Sequence, residues 1–77
     1  MGARETLKRA ALKKALDLLR GADSAPFPEA ARLTLEARRV LRPHTGCGKV
    51  AEVDQAILSG KSAYAIGRIR LVLGSQP

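Results

Sequence analysis

Apolar residues recur through the first twenty positions at helical spacing. Leu7, Ala11, Leu12, Ala15, Leu16, Leu18 and Leu19 fall on one half of a helical wheel, while Arg9, Lys13 and Arg20 cluster on the other. The pattern predicts an amphipathic helix over residues 4–20, with Gly21 as its stop, because glycine accepts the left-handed cap conformation. Residues 21–28 read as a loop: Pro26 and Pro28 forbid a continuing helix, and Phe27 between them is expected to pin the loop to the core. Pro28 suits the first position of a second helix, with Glu29 in its first turn beside the positive end of the dipole. Ala30, Leu33, Ala37, Val40 and Leu41 form its apolar stripe. Arg32, Glu36 and Arg39 share its outer face, and Arg42 and Pro43 end it.

His44 to Gly48 form a tight connection. Val50, Val53, Ile57 and Leu58 then predict a short third helix ending near Ser59 and Gly60. Ser62 is a candidate cap for a fourth helix, on which Ala65, Ile66, Ile69, Val72 and Leu73 lie to one side. The last segment, residues 62–73, admits a second reading. Ile69, Leu71 and Leu73 alternate as a strand would, and Gly67 weakens a helix interior by about 1 kcal/mol. A lone strand would need another chain to pair with, so the helix is preferred. The expected fold is all-α, a bundle of three to four helices in one domain spanning residues 1–77.

Length and composition sharpen this picture. A chain of 77 residues hides little surface, and a core of that size rarely supplies more than about 3–5 kcal/mol. Cys47 is the sole cysteine, so no disulfide within the chain adds to that. A homodimer or a stabilising partner is therefore expected. Phe27 and Tyr64 are the only aromatic residues, which leaves packing to aliphatic side chains and suits helix on helix.

The chain carries 14 Lys and Arg against 7 Asp and Glu, a net charge of +7. Residues 1–20 contribute most of it, with Arg4, Lys8, Arg9, Lys13, Lys14 and Arg20 set against Glu5 and Asp17. Such an excess draws polyanions toward the protein and is a footprint of nucleic-acid binding. No apolar run approaches the roughly 18 residues of a membrane span, and the start of the chain lacks the apolar stretch of a signal peptide. One unpaired cysteine fits a reducing cytoplasm.

The most informative stretch is residues 52–71. Ala56 stands where a small residue lets two helices approach closely, and Gly60, four residues on, stands where a turn needs positive φ. Ser62 fits the start of a second helix, with Ile66 and Ile69 on its buried face. This stretch resembles the helix-turn-helix of small DNA-binding regulators over about a quarter of the chain. It departs from that pattern at Ser59 and Lys61, where apolar residues normally flank the glycine, and at Leu71, which would be exposed. The resemblance implies that Ser62, Ala63, Tyr64, Gly67 and Arg68 face the major groove, with Lys61 near the backbone. Arg68 would then read guanine edges, and Tyr64 and Ser62 would bond phosphate or base. The outer face of the first helix, with Arg9, Lys13 and Arg20, would track phosphates.

Other chemistry finds little support. His44 and Cys47 have ligand-like spacing, but a zinc site wants four ligands and the chain has no further His or Cys. Gly46 to Lys49 and Gly60 to Ser62 lack the earlier glycine that a phosphate loop requires. The carboxylates form no pair suited to acid–base work. The sequence thus points to binding without catalysis, metal or cofactor. DNA is preferred over RNA. The alternative is a protein-interaction module, an inhibitor or adaptor that docks an acidic partner such as a larger machine of the RNA polymerase kind.

Overall fold

Alanine and leucine crowd the first quarter of the chain, and both hold helix well. In the computed structural model, which describes residues 2–74, they form α1, Gly2–Ser24. At 1.5 Å per residue its 23 residues extend about 34 Å, most of the molecule's 39 Å long axis. The helix does not stop at Gly21. Gly21 faces α2 instead, where a Cβ would lie 3.6 Å from Leu33 Cδ1. A Cβ there would make only ordinary contact, so the glycine does not set the helix spacing, and α1 ends only as Pro26 approaches and excludes helical backbone at Ala25.

Helix α2, Phe27–Leu41, starts one residue earlier than the pattern suggests. Pro26 occupies the N-cap in extended conformation and its carbonyl takes the Ala30 N–H at 2.8 Å. Glu29 lies in the first turn and Arg38 and Arg39 in the last, each favourable to the helix dipole. A 3-10 turn, Arg42–His44, follows the end expected at Arg42 and Pro43. Helix α3, Gly48–Leu58, then begins after Cys47, whose carbonyl accepts the Ala51 N–H at 2.9 Å.

The end of α3 is closed by two nested bonds. The Lys61 N–H reaches back to the Ala56 carbonyl at 2.8 Å and the Gly60 N–H to the Ile57 carbonyl at 3.0 Å. Gly60 itself has φ of 78°. This is the Schellman arrangement, which needs a left-handed residue just past the cap. Helix α4, Ser62–Gly74, follows at once. The strand alternative for residues 62–73 is therefore overturned, because α4 lays Ala65 and Ile69 fully into a core shared with the other helices. The cap position also falls on Lys61, whose carbonyl takes the Ala65 N–H at 3.0 Å, and not on Ser62.

The fold is all-α, four helices among the described residues. Its core is Ala11, Leu12, Ala15 and Leu19 from α1, Ala37 and Leu41 from α2, Val50, Val53, Ala56 and Ile57 from α3, and Ala65 and Ile69 from α4. No aromatic, polar or charged residue is buried among the described residues. Five of these twelve side chains are alanines, which allows close helix contact, most extensive between α1 and α2. Three apolar expectations fail. Phe27 is 83% exposed at the start of α2 and pins nothing. Leu7 and Leu58 are exposed as well. Leu7 lies on the turn of α1 before the core begins, and Leu58 is the last residue of α3, about 100° round the axis from Ile57.

Candidate nucleic-acid interface

The close packing of α3 on α4 is set by Ala56, which is buried, and by the turn at Gly60. From that junction the sequence places Tyr64 and Arg68 four residues apart, on one flank of α4. The flank faces Glu52 of α3. Glu52 Oε2 accepts the Tyr64 hydroxyl at 2.9 Å and Oε1 accepts Arg68 Nη2 at 3.1 Å. Arg68 Nε is enclosed and has no acceptor among the described residues. The Glu52 bond, with a smaller contribution from desolvation, raises the Tyr64 phenol above its usual pKa. Glu52, Gln55, Ser59, Lys61 and Tyr64 line a shallow groove of about 420 Å³ between the two helices.

Lys61 is exposed at the mouth of this groove, and Ser62 is half-buried as the first residue of α4. Tyr64 is 50% exposed. Lys61, Tyr64 and Arg68 are thus brought together, but Arg68 and Tyr64 are held by the protein's own carboxylate. The outward side of α4 carries Ala63, Gly67, Arg70 and Leu71, all exposed. Leu71 is open to solvent, so the departure from the helix-turn-helix pattern at this position stands.

The cations expected on the outer face of α1 divide. Lys13 and Arg20 are exposed. Arg9 is not free: it turns toward α4, where Nη2 donates to the Leu73 carbonyl at 3.4 Å and Nη1 is enclosed without an acceptor among the described residues. A cation there satisfies part of the helix end and opposes its negative dipole. The wheel that placed Arg9 with Lys13 and Arg20 could not show that α4 packs along that edge.

Charge is sorted unevenly over the molecule. Among the described residues, Glu5 holds Lys8, Glu29 holds Arg32, Asp54 holds Arg38 and Glu52 holds Arg68. The Arg38–Asp54 contact joins α2 to α3, with two guanidinium nitrogens on two carboxylate oxygens at 3.0 and 3.3 Å. That hydrogen bond raises the Arg38 pKa further. Outside every one of these ion pairs stand Arg4, Lys13, Lys14 and Arg20 on α1, and Arg39, Arg42, Lys49, Lys61 and Arg70 elsewhere, all exposed. Helix spacing pointed to pairing among Arg32, Glu36 and Arg39, but Arg32 pairs with Glu29 instead. The contacts across helices, with Glu52 and Asp54 as their acidic members, had no signal in the sequence.

A second groove, about 830 Å³, runs between the start of α1 and the 3-10 turn, and holds Arg4, Lys8, His44 and Cys47. Cys47 Sγ lies 3.9 Å from Lys8 Nζ. The backbone N–H groups of Val50 and Lys49 at the start of α3, then Lys8, hold the Cys47 thiol below its usual pKa. No cluster of three or more metal-ligating side chains occurs among the described residues. No described helix is long and apolar enough to cross a membrane.

Comparison with known protein families, with curated proteins and with solved structures finds no match to this chain. The functional reading therefore stands on the geometry and charge above.

Proposed function

We propose that this protein binds duplex DNA, presenting α4 to a groove and its surplus cations to the phosphates. One observation carries the reading. Among the described residues, four of the seven carboxylates are taken up in ion pairs, whereas nine Lys and Arg residues stay exposed and outside these pairs. Each phosphate these cations neutralise releases counterions and makes affinity depend on salt. The Gly60 turn supports the reading, since it joins α3 to α4 in the order of a helix-turn-helix and leaves Ala63, Gly67, Arg70 and Leu71 uncovered. Schellman ends are common among helices, so the turn positions α4 without itself naming a ligand.

In this reading Lys61, Lys13 and Arg20 contact phosphate, and Ser62, Tyr64 and Arg68 stand nearest the base edges. The test is a titration of random duplex DNA at several salt concentrations. Binding at physiological salt is expected, with log affinity falling by about 0.9 per phosphate contact for each decade of salt. No binding at that salt sinks it. A structured RNA added as competitor reports whether A-form geometry is preferred.

A second reading is favoured by a separate observation. Leu58 and Leu71 are 58% and 62% exposed, and Arg68 is already paired. An acidic protein groove would cover such apolar residues rimmed by cations, with charge acting mainly on the association rate. Recovery of one stoichiometric acidic partner, together with silence in the duplex titration, decides for it.

A further inference from the structure

Among the described residues, Glu52 is the one carboxylate that collects two donors from α4. Its oxygens hold the Tyr64 hydroxyl at 2.9 Å and Arg68 Nη2 at 3.1 Å. Those donors are two of the residues that the DNA reading assigns to the base edges. A carboxylate offers two oxygens in a plane, much as a phosphate or the O6 and N7 edge of guanine offers two acceptors. The contact is also incomplete. Arg68 spends one nitrogen on Glu52 while its enclosed Nε finds no acceptor among the described residues. Both partners are wetted, with side chains 34% and 42% exposed, so the contact is screened and opens readily.

We infer that Glu52 is a built-in competitor for nucleic acid, occupying on Arg68 and Tyr64 the acceptor position that DNA takes when it binds. The inference rests on the DNA reading above and adds a specificity-determining residue to it. An acceptor must outdo Glu52 before Arg68 lets go. A phosphate only exchanges one charged acceptor for another, whereas a guanine edge takes two guanidinium nitrogens in place of the one that Glu52 holds. Glu52 thereby raises the threshold for random contact and leaves a matched site ahead, which is discrimination by an internal rival.

The experiment is a double-mutant cycle on random duplex DNA, with Glu52→Gln measured alone and beside Arg68→Ala. Glu52→Gln is expected to tighten random-duplex binding roughly three-fold, the scale of one exposed ion pair, and to steepen the salt slope by about one phosphate. With Arg68 removed the gain disappears. Arg68→Gln replaces Arg68→Ala should the latter lose helicity. Glu29→Gln removes the same charge away from the groove and is expected to change affinity less. Tyr64 is the only tyrosine and there is no tryptophan, so tyrosinate absorbance reports separately that Glu52→Gln has released the phenol. An equal gain with and without Arg68 shows that Glu52 acts as a plain charge, and overturns the inference. Weaker binding by Glu52→Gln shows that Glu52 preorganises Arg68, and overturns it too. In both cases DNA binding itself survives. Silence of every variant toward duplex, with the tyrosine release still seen, overturns the DNA reading and this inference with it.

Discussion

Two glycines seven residues apart are expected to answer the same substitution with opposite signs. At Gly60, φ of 78° puts an alanine in left-handed backbone, while a Cβ there meets nothing within 4 Å. The penalty is then conformational alone, about 1–2 kcal/mol. The reduced freedom of the unfolded chain returns roughly 0.4–1 kcal/mol of that, which leaves Gly60→Ala destabilised by about 1 kcal/mol. Gly67 lies inside α4, exposed, with nothing within 4 Å of a built Cβ. Alanine there removes the weakness of glycine in a helix and stabilises by about 1 kcal/mol. For a domain of this size each such change moves Tm by roughly 4–8 °C. Thermal unfolding followed by circular dichroism should place the two variants on either side of the parent, about 8–16 °C apart. Gly60→Asn should fall between Gly60→Ala and the parent, since asparagine tolerates the left-handed region. A Gly60→Ala protein as stable as the parent removes the Schellman turn from the account. A destabilised Gly67→Ala protein shows that something packs closely on the outward side of α4.

Other outcomes follow from the same geometry. Ile69→Ala, at a fully buried site, should cost about 2–5 kcal/mol, comparable with the whole stability of a small core, so its far-ultraviolet helix signal should be largely lost at 37 °C. Lys13→Ala should leave Tm near the parent's and reduce the salt slope of duplex binding by about one contact; an unchanged slope removes α1 from the interface. The Tyr64 phenol is held above its usual pKa by Glu52, so this contact stabilises the fold below the unfolded phenol's pKa and is lost as pH rises through the folded one. Absorbance titration should show a lower midpoint in Glu52→Gln, and an identical midpoint would separate Tyr64 from Glu52 in solution. Cys47 has its pKa lowered, by the Val50 and Lys49 N–H groups before Lys8, and the stabilisation this gives is present at alkaline pH and lost as pH falls through the folded value. Iodoacetamide should alkylate it with a midpoint below that of the urea-unfolded chain, and Lys8→Ala should shift that midpoint upward only slightly.

Periodicity alone determined the first three helices and most of the buried faces, while over residues 62–73 it allowed a strand as well. Ala11, Leu12, Ala15, Leu19, Ala37, Leu41, Val50, Val53, Ile57, Ala65 and Ile69 repeat at a helical interval, and burial follows that repeat whichever way the helices are arranged. Gly60 was equally legible, because few residues other than glycine accept its backbone. The tertiary structure decided what periodicity leaves open. Gly21 stops nothing because α1 runs past it to Ser24, and Phe27 pins nothing because α2 begins at that residue and leaves it in solvent. Arg9 left the α1 stripe because the end of α4 lies against it, and Arg68 is held because α3 turns Glu52 toward α4. A repeat fixes which side of a helix leaves water. It carries no information on how one helix is rotated and shifted against the next, and that choice determines which cation meets which carboxylate across helices.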